Sequence, residues 1–442
     1  MTTEAWIDRA AKLLTLRRIR AHATILVVCL WGVCAIDFLV PGAFDRAGNI
    51  KFQDFLSFYI SGQLIGQGRS ADLYNQPARD AEMLTVVRTH VATDPFVRPD
   101  DAKPVSRESA FSPAVPTSVR LPNLYGPQFS LLFVPLARFR FLVAAQVWVA
   151  FSLIGFFACI HLVLRSCPSL LQYARTVMLC AAAFPPLFHF FVRGQNSVLV
   201  LVCFTAAYLS FRTQHNWLAG IAFGFLIFKP QFLVAIPLVL LLSRAWKPFV
   251  ALLVSAAAQL AFTWIYFGPA VMHAYLATLW HLSSVVNTAE LSLAPIQMHS
   301  MRSFWSLLIP WPGVALALYA LSSIVIIGMA AAAWKSSVPL ALRFSALTFA
   351  AVLVNPHLFI YDLLALAPAL LLLVDWTLTN PQHPSSSALR LLAYLSFLLP
   401  LFGPLSQWIH IQLSVLALTL LLWVLWRKSP SHELASNESR VV

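Results

Sequence analysis

Apolar stretches, many of them long enough to cross a bilayer, recur along most of this chain, and nothing else in the sequence restricts its fold as strongly. They fall at residues 22–40, 141–164, 173–191, 196–211, 216–228, 230–243, 248–267, 313–334, 338–354, 358–375, 390–403 and 409–426. A helix needs roughly 17 to 25 apolar residues to span the hydrocarbon core, so the short ones stand below that length. The composition agrees, with 59% hydrophobic and only 11% charged residues, against about 25% charged in a soluble domain. A membrane β-barrel would show short alternating segments instead. We therefore expect an all-α polytopic membrane protein of about twelve transmembrane helices.

The net charge of +13 does not point to nucleic acid, because the basic residues are scattered between apolar spans, where they act as topology signals. Lys12, Arg17, Arg18 and Arg20 precede the first span. No small-residue cleavage site follows it, so we read it as an uncleaved anchor. The six cysteines, Cys29, Cys34, Cys159, Cys167, Cys180 and Cys203, lie in or beside apolar spans and form no CxxC pair. That distribution fits packing better than disulfides or zinc.

The stretch FGFLIFKPQFLVAIPLVLLL, 223–242, decides the topology. As one helix, 216–243 would put Arg212 and the Arg244/Lys247 pair on opposite faces. Positive residues in short loops favour the cytoplasmic side. A break at Lys229-Pro230, where proline removes a backbone donor, returns the chain to the side it left. Arg165, Arg175, Arg212, Arg244, Lys247, Lys335, Arg390, Arg427 and Lys428 then all face the cytoplasm with both termini.

This topology places 42–122 outside as a first extracytoplasmic loop and 268–312 as a second; residues 1–428 form a single domain and 429–442 a disordered tail. Within the first loop, KFQDFLSFYISGQLIGQG reads as an amphipathic interfacial helix ending at Gly66 or Gly68. Residues 93–122, rich in Pro and Ser, read as an irregular insert. The run NLYGPQFSLLFVPLA, 123–137, is too short to span and reads as re-entrant or interfacial.

Ionisable residues at membrane depth are functional candidates, and five polar patches fall on the outer face in this topology. They are Asp54 in QDFLSFY, Tyr125 to Gln128 in LYGPQF, Arg193 with Gln195 and Asn196 in VRGQNS, Lys229 and Gln231 in KPQ, and His357 through Tyr361 and Asp362 in NPHLFIYD. No Asp or Glu occurs between residues 109 and 289. An outer general base must therefore come from the first loop, Asp37, Glu290 or Asp362. Asp54, flanked by Phe55, Phe58 and Tyr59, suits a base acting on an alcohol. Lys229, Arg193 and His357 suit a phosphate. Each also has a plainer role: Asp54 as a solvated acid, Lys229 snorkelling to the interface, Arg193 or His357 capping a helix end, Asp362 pairing with a neighbouring helix.

Taken in order, Asp54-Tyr59-Gly66, Leu73-Tyr74, LYGPQFSLLFVPLA, RGQNSVLVLV, FKPQ and NPHLFIYDLLALAPALLLL resemble glycosyltransferase family 87 over about residues 50 to 375. These are bacterial polyprenyl-phosphate-mannose-dependent enzymes of the C-type membrane glycosyltransferase (GT-C) fold. The resemblance implies an enzyme of the bacterial inner membrane. It would transfer a hexose, with inversion, from a polyprenyl-phosphate donor to a lipid-linked or glycan acceptor on the extracytoplasmic side. It also implies an essential first-loop acid, which maps onto Asp54. Lys229, Arg193 and His357 would then hold the donor phosphate. Tyr59, Tyr125, Gln128, Gln195, Asn196, Gln231, Tyr361 and Asp362 would line the substrates. Neither metal nor cofactor is expected, since fixed cations suffice for a monophosphate leaving group. The family's double proline is Gly126-Pro127 here, and the first loop carries the insert. The alternatives are a transporter or flippase of lipid-linked sugars, or an O-antigen polymerase or ligase-like enzyme.

Overall fold

Twelve apolar stretches demand twelve helical solutions, because backbone polar groups in hydrocarbon must be satisfied internally. A computed structural model of the chain describes residues 3–46, 49–93, 123–285 and 297–427. Each of the twelve stretches is helical there. Among the described residues six helices are long and apolar enough to cross a membrane: Leu16–Phe38, Phe141–Leu164, Trp246–His281, Pro312–Lys335, Ile360–Thr379 and Ser386–Ile409. A seventh crossing results if Ala174–Ala182 and Pro185–Arg193, bent by 49°, form one span. The other five, Ser197–Arg212, Asn216–Phe228, Pro230–Leu242, Leu340–Leu353 and Leu413–Arg427, are shorter apolar helices. Among the described residues the only β contacts are isolated bridges, Phe44 with Ile50 and Met298 with Phe359.

The outer surface of the bundle is itself apolar. Ile154, Ile265, Trp280 and Ile324 are 71%, 82%, 81% and 69% exposed. Large exposed apolar areas are unstable in water, so this surface belongs in lipid, and the protein is a membrane protein. The six cysteines are free, with Cys34, Cys159 and Cys167 buried.

Local chemistry sets the helix ends. Thr15 caps Leu16–Phe38 by accepting from the Arg18 amide at 3.3 Å. At its other end Lys51 donates to the carbonyls of Phe38, Val40 and Gly42. Its cation thus satisfies carbonyls left over at the negative end of the helix dipole. The break at Lys229 is present, between a 3-10 turn at Phe225–Phe228 and another at Pro230–Leu233. The chain does return to the end it left, since Asn216 and Arg244 line one pocket with Lys247 and Arg343.

One expectation about the loops changes. The Gln53–Gly66 helix is not amphipathic; ten of its residues, on every face, are buried. It is a core helix enclosed by the 123–137 segment and by the Phe141–Leu164 and Pro185–Arg193 helices, with the rings of Phe55 and Phe58 both packed on Phe133. Gly62 permits this closeness, because a Cβ there would lie 2.6 Å from the Phe133 carbonyl carbon. Within the 268–312 segment the described residues are largely helical. Trp246–Val285 continues past a break at Gly268 (φ 82°) and Pro269, and Met301–Leu308 follows. Glu290, residues 94–122 of the insert and the tail from 428 lie outside the described residues.

Candidate active site

Four distant segments meet at one end of the bundle. The first is the buried helix Gln53–Gly66, which carries Asp54 in its opening turn. The second is the RGQN corner. Pro185–Arg193 ends at Gly194, whose φ of 67° favours glycine, and a Cβ there would lie 2.8 Å from that of Phe55. Gly194 thus turns the chain tightly and lets the corner approach the Asp54 helix. The third is the Lys229 break, and the fourth the 3-10 turn Ile360–Ala365 that holds Tyr361 and Asp362.

Asp54 is 7% exposed. Its carboxylate accepts from Gln195 Nε2 at 2.7 Å and lies 3.8 Å from the Arg193 guanidinium. Gln195 is pinned on two other atoms: its carbonyl accepts from Trp148 Nε1 at 3.1 Å, and its Oε1 from the Asn196 amide at 3.3 Å. Arg193 reaches the other way to Gln297 Oε1 at 3.0 Å. Burial pushes the Asp54 carboxyl up from its ordinary value; Arg193 most strongly, then the Gln195 hydrogen bond, oppose the rise.

Beside this group lies a second, sealed one. Lys229 and Asp362 are each 2% exposed, and Lys229 Nζ meets Asp362 Oδ1 at 2.5 Å. Ser197 completes a triangle, donating to Asp362 at 2.6 Å and accepting from Lys229 at 3.0 Å. Ser197 opens the Ser197–Arg212 helix, so the positive end of that helix dipole also faces Asp362. Tyr361 bridges the groups: its ring lies 5.5 Å from Lys229 Nζ, and it is an electrostatic neighbour of Asp54. Tyr125 is a neighbour of both acids and of Asn196; burial first, then Asp362 and Asp54, push its phenol up. Asn196 is fully buried beside that phenol, and neither end of its amide closes a well-formed hydrogen bond. A buried amide left open in this way is suited to a ligand.

The structure thus gathers Asp54, Arg193, Gln195, Asn196, Lys229, Tyr125, Tyr361 and Asp362. It does not gather all the candidates. The Tyr59 hydroxyl donates to the Phe139 carbonyl at 2.8 Å, and Gln128 accepts from Thr263 at 2.8 Å, so both are engaged outside this cluster. Gln231 is half-buried in the turn after Lys229. His357 stands one ring away, edge-on to Phe359, which stacks on Tyr361. Lys229 does not snorkel. Sequence reasoning did not single out Ser197 or Gln297; Ser197 sits inside the quoted RGQNS run, whereas nothing local marks Gln297.

The sequence profile of glycosyltransferase family 87 matches residues 123–356, a little over half of the chain. The chain belongs to glycosyltransferase family 87. The match takes in Tyr125, the RGQN corner and Lys229, and it stops just before His357 and Asp362. Asp54 precedes it, so for this family 87 glycosyltransferase the acid is tied to the matched region by geometry: its hydrogen bond to Gln195 and its proximity to Arg193. Neither the comparison with curated proteins nor that with solved structures gives a match.

Proposed function

We propose that this glycosyltransferase is an inverting hexosyltransferase that uses a polyprenyl-phosphate sugar, with mannose as the expected hexose. The acceptor is a lipid-linked or glycan hydroxyl. The chain sits in a bacterial inner membrane with about twelve crossings, both termini in the cytoplasm and the site facing outward. The observation that carries the reading is the Asp54–Gln195–Arg193 constellation: a buried carboxylate held by an amide, with a partly exposed guanidinium 3.8 Å away.

In this reading Asp54 takes the proton from the acceptor hydroxyl as the oxygen attacks the anomeric carbon from the face opposite the phosphate. The C–O bond to phosphate breaks, and the lipid monophosphate leaves with the electron pair. Desolvation makes Asp54 a stronger base than a solvated carboxylate. Arg193, 28% exposed, is the cation most open to a phosphate, and its planar fork suits two phosphate oxygens. The open Asn196 amide and the N-terminus of Ser197–Arg212 add donors on the same side. Lys229 supplies a second positive charge from behind, with Asp362 and Ser197 fixing it. His357 contributes from the rim.

The test is Asp54→Asn, assayed with a synthetic polyprenyl-phosphate hexose in proteoliposomes. The variant keeps the hydrogen-bonding shape and removes the base. We expect normal membrane insertion and a loss of transfer of about 100-fold or more. Transfer at the parental rate would remove Asp54 from the reaction.

A further inference from the structure

At the far end of the bundle from Asp54 the structure contains a cavity of about 310 Å³. Four elements agree on its position. On the first span it is lined by Leu16, Ile19 and His22, whereas the opposite end of that helix, Phe38, packs on Phe52 beside the site. The stretch from His22 to Phe38 spans about 24 Å of helix. Thr176 and Val177 line the cavity before the chain turns toward Arg193. On the Ile360–Thr379 helix its lining runs from Ala367 to Leu378, beginning about one and a half turns beyond Asp362. The fourth wall is Ser386–Leu398.

The wall is apolar, but the mouth is not. His22 Nδ1 and the Tyr394 hydroxyl are 2.6 Å apart, and Arg20 Nε donates to Thr176 Oγ1 at 2.8 Å. Arg390 lines the cavity; one end of its fork donates to the Thr377 carbonyl at 3.4 Å, and its Nε is buried without a hydrogen bond. The acid on the neighbouring helix, Asp375, is engaged by the Leu170 amide at 2.9 Å. The mouth therefore offers Arg20 and Arg390 as positive charges above an apolar slot.

We propose that this cavity is a binding site for an anionic phospholipid, separate from the transfer site. One acyl chain enters the slot between the first span and the Ser386–Leu398 helix, and the phosphate headgroup meets Arg20 and Arg390. Charge complementarity selects this occupant: basic pockets between membrane helices favour acidic headgroups. The volume lies in the range of small-ligand pockets. Under the proposed topology the site faces the cytoplasmic leaflet.

The test uses the full chain in nanodiscs with a phosphatidylglycerol probe carrying a diazirine on one acyl chain. After irradiation we expect crosslinks concentrated on residues 14–23, 170–184 and 367–397. Excess natural phosphatidylglycerol should compete about five-fold better than phosphatidylcholine. Ala393→Phe fills the slot and should remove those crosslinks while hexose transfer continues. Arg390→Gln, a milder change at the mouth, should keep the crosslinks and lose much of the headgroup preference. Crosslinks spread evenly over lipid-facing positions such as Ile265 and Ile324 would overturn the proposal. So would crosslinks that persist in Ala393→Phe, or an undiminished headgroup preference in Arg390→Gln.

Discussion

Arg79 and Lys229 are both buried cations, 0% and 2% exposed, yet the fold satisfies them in opposite ways. Among the described residues Arg79 hydrogen-bonds only neutral oxygens: the Ser57 carbonyl and hydroxyl at 3.1 and 2.8 Å, Ser61 Oγ at 2.9 Å and the Leu73 carbonyl at 3.4 Å. Burial lowers its pKa to about 10, which still leaves it charged at neutral pH. Lys229 has a carboxylate, Asp362, and a serine. A guanidinium spreads its charge over five donors and is weakly hydrated, so several neutral acceptors hold it; a compact ammonium is held best by a countercharge. The partners differ in place as well. Those of Arg79 lie on the first-loop helix and the adjoining turn, so it fastens one local unit. Those of Lys229 come from two other helices, beside Asp54. The first arrangement is a clamp, and the second is part of the candidate site.

The largest effect that separates the two follows from breaking the Lys229–Asp362 pair. Lys229→Met leaves a buried carboxylate without its partner and should cost about 3–5 kcal/mol. The double variant Lys229→Met/Asp362→Leu removes both charges and should recover most of that stability. Thermal unfolding in detergent gives the stabilities, and transfer per folded molecule gives the function. We expect the double variant to be stable and to transfer poorly. If activity returned along with stability, the pair would be a clamp like Arg79, and Lys229 would leave the donor site.

Arg79→Lys should have a smaller effect, about 1–3 kcal/mol, because the ammonium cannot reproduce the fork and leaves serine and carbonyl oxygens short of donors. Transfer by the molecules that remain folded should match the parent. A fall in specific activity at unchanged stability would place Arg79 in the chemistry and erase the distinction drawn above.

The sequence marked one of these cations and not the other for a physical reason. Lys229 interrupts an apolar run, where any charge is costly and stands out. Arg79 lies in QPARD within a polar loop, where an arginine is expected to be solvated, and its burial follows only from folding that loop onto the Gln53–Gly66 helix. The same cause explains the helix that was expected at the interface. Period and composition showed a helix ending near Gly66, but its enclosure depends on the close approach at Gly62 and Phe133, a tertiary fact. The apolar segments were legible because each carries its own length and composition. The meeting of Asp54 with Gln195 was not, because 141 residues separate them and no local pattern encodes the contact. What the sequence did offer was the shared face of five patches, and most of their polar residues do converge.

The smallest expected effect concerns a third cation, Arg193, which is neither sealed like Lys229 nor clamped like Arg79. A general base works when deprotonated, so kcat/KM should fall as pH drops through the Asp54 pKa, which burial has raised. Arg193 opposes that rise. Removing its charge in Arg193→Ala should therefore move the acid limb of kcat/KM to higher pH. The guanidinium is 28% exposed and 3.8 Å from the carboxylate, so solvent screens it and the displacement should stay below about one pH unit. Weaker donor binding would lower the whole profile without moving the limb, which separates the two roles of Arg193. Arg79→Lys, measured alongside, should leave the limb in place, since Arg79 is not among the charges that act on Asp54. A limb that stayed fixed in Arg193→Ala, or moved to lower pH, would mean that the titrating base is not Asp54; Asp362, sealed against Lys229, would then be the next carboxylate to examine.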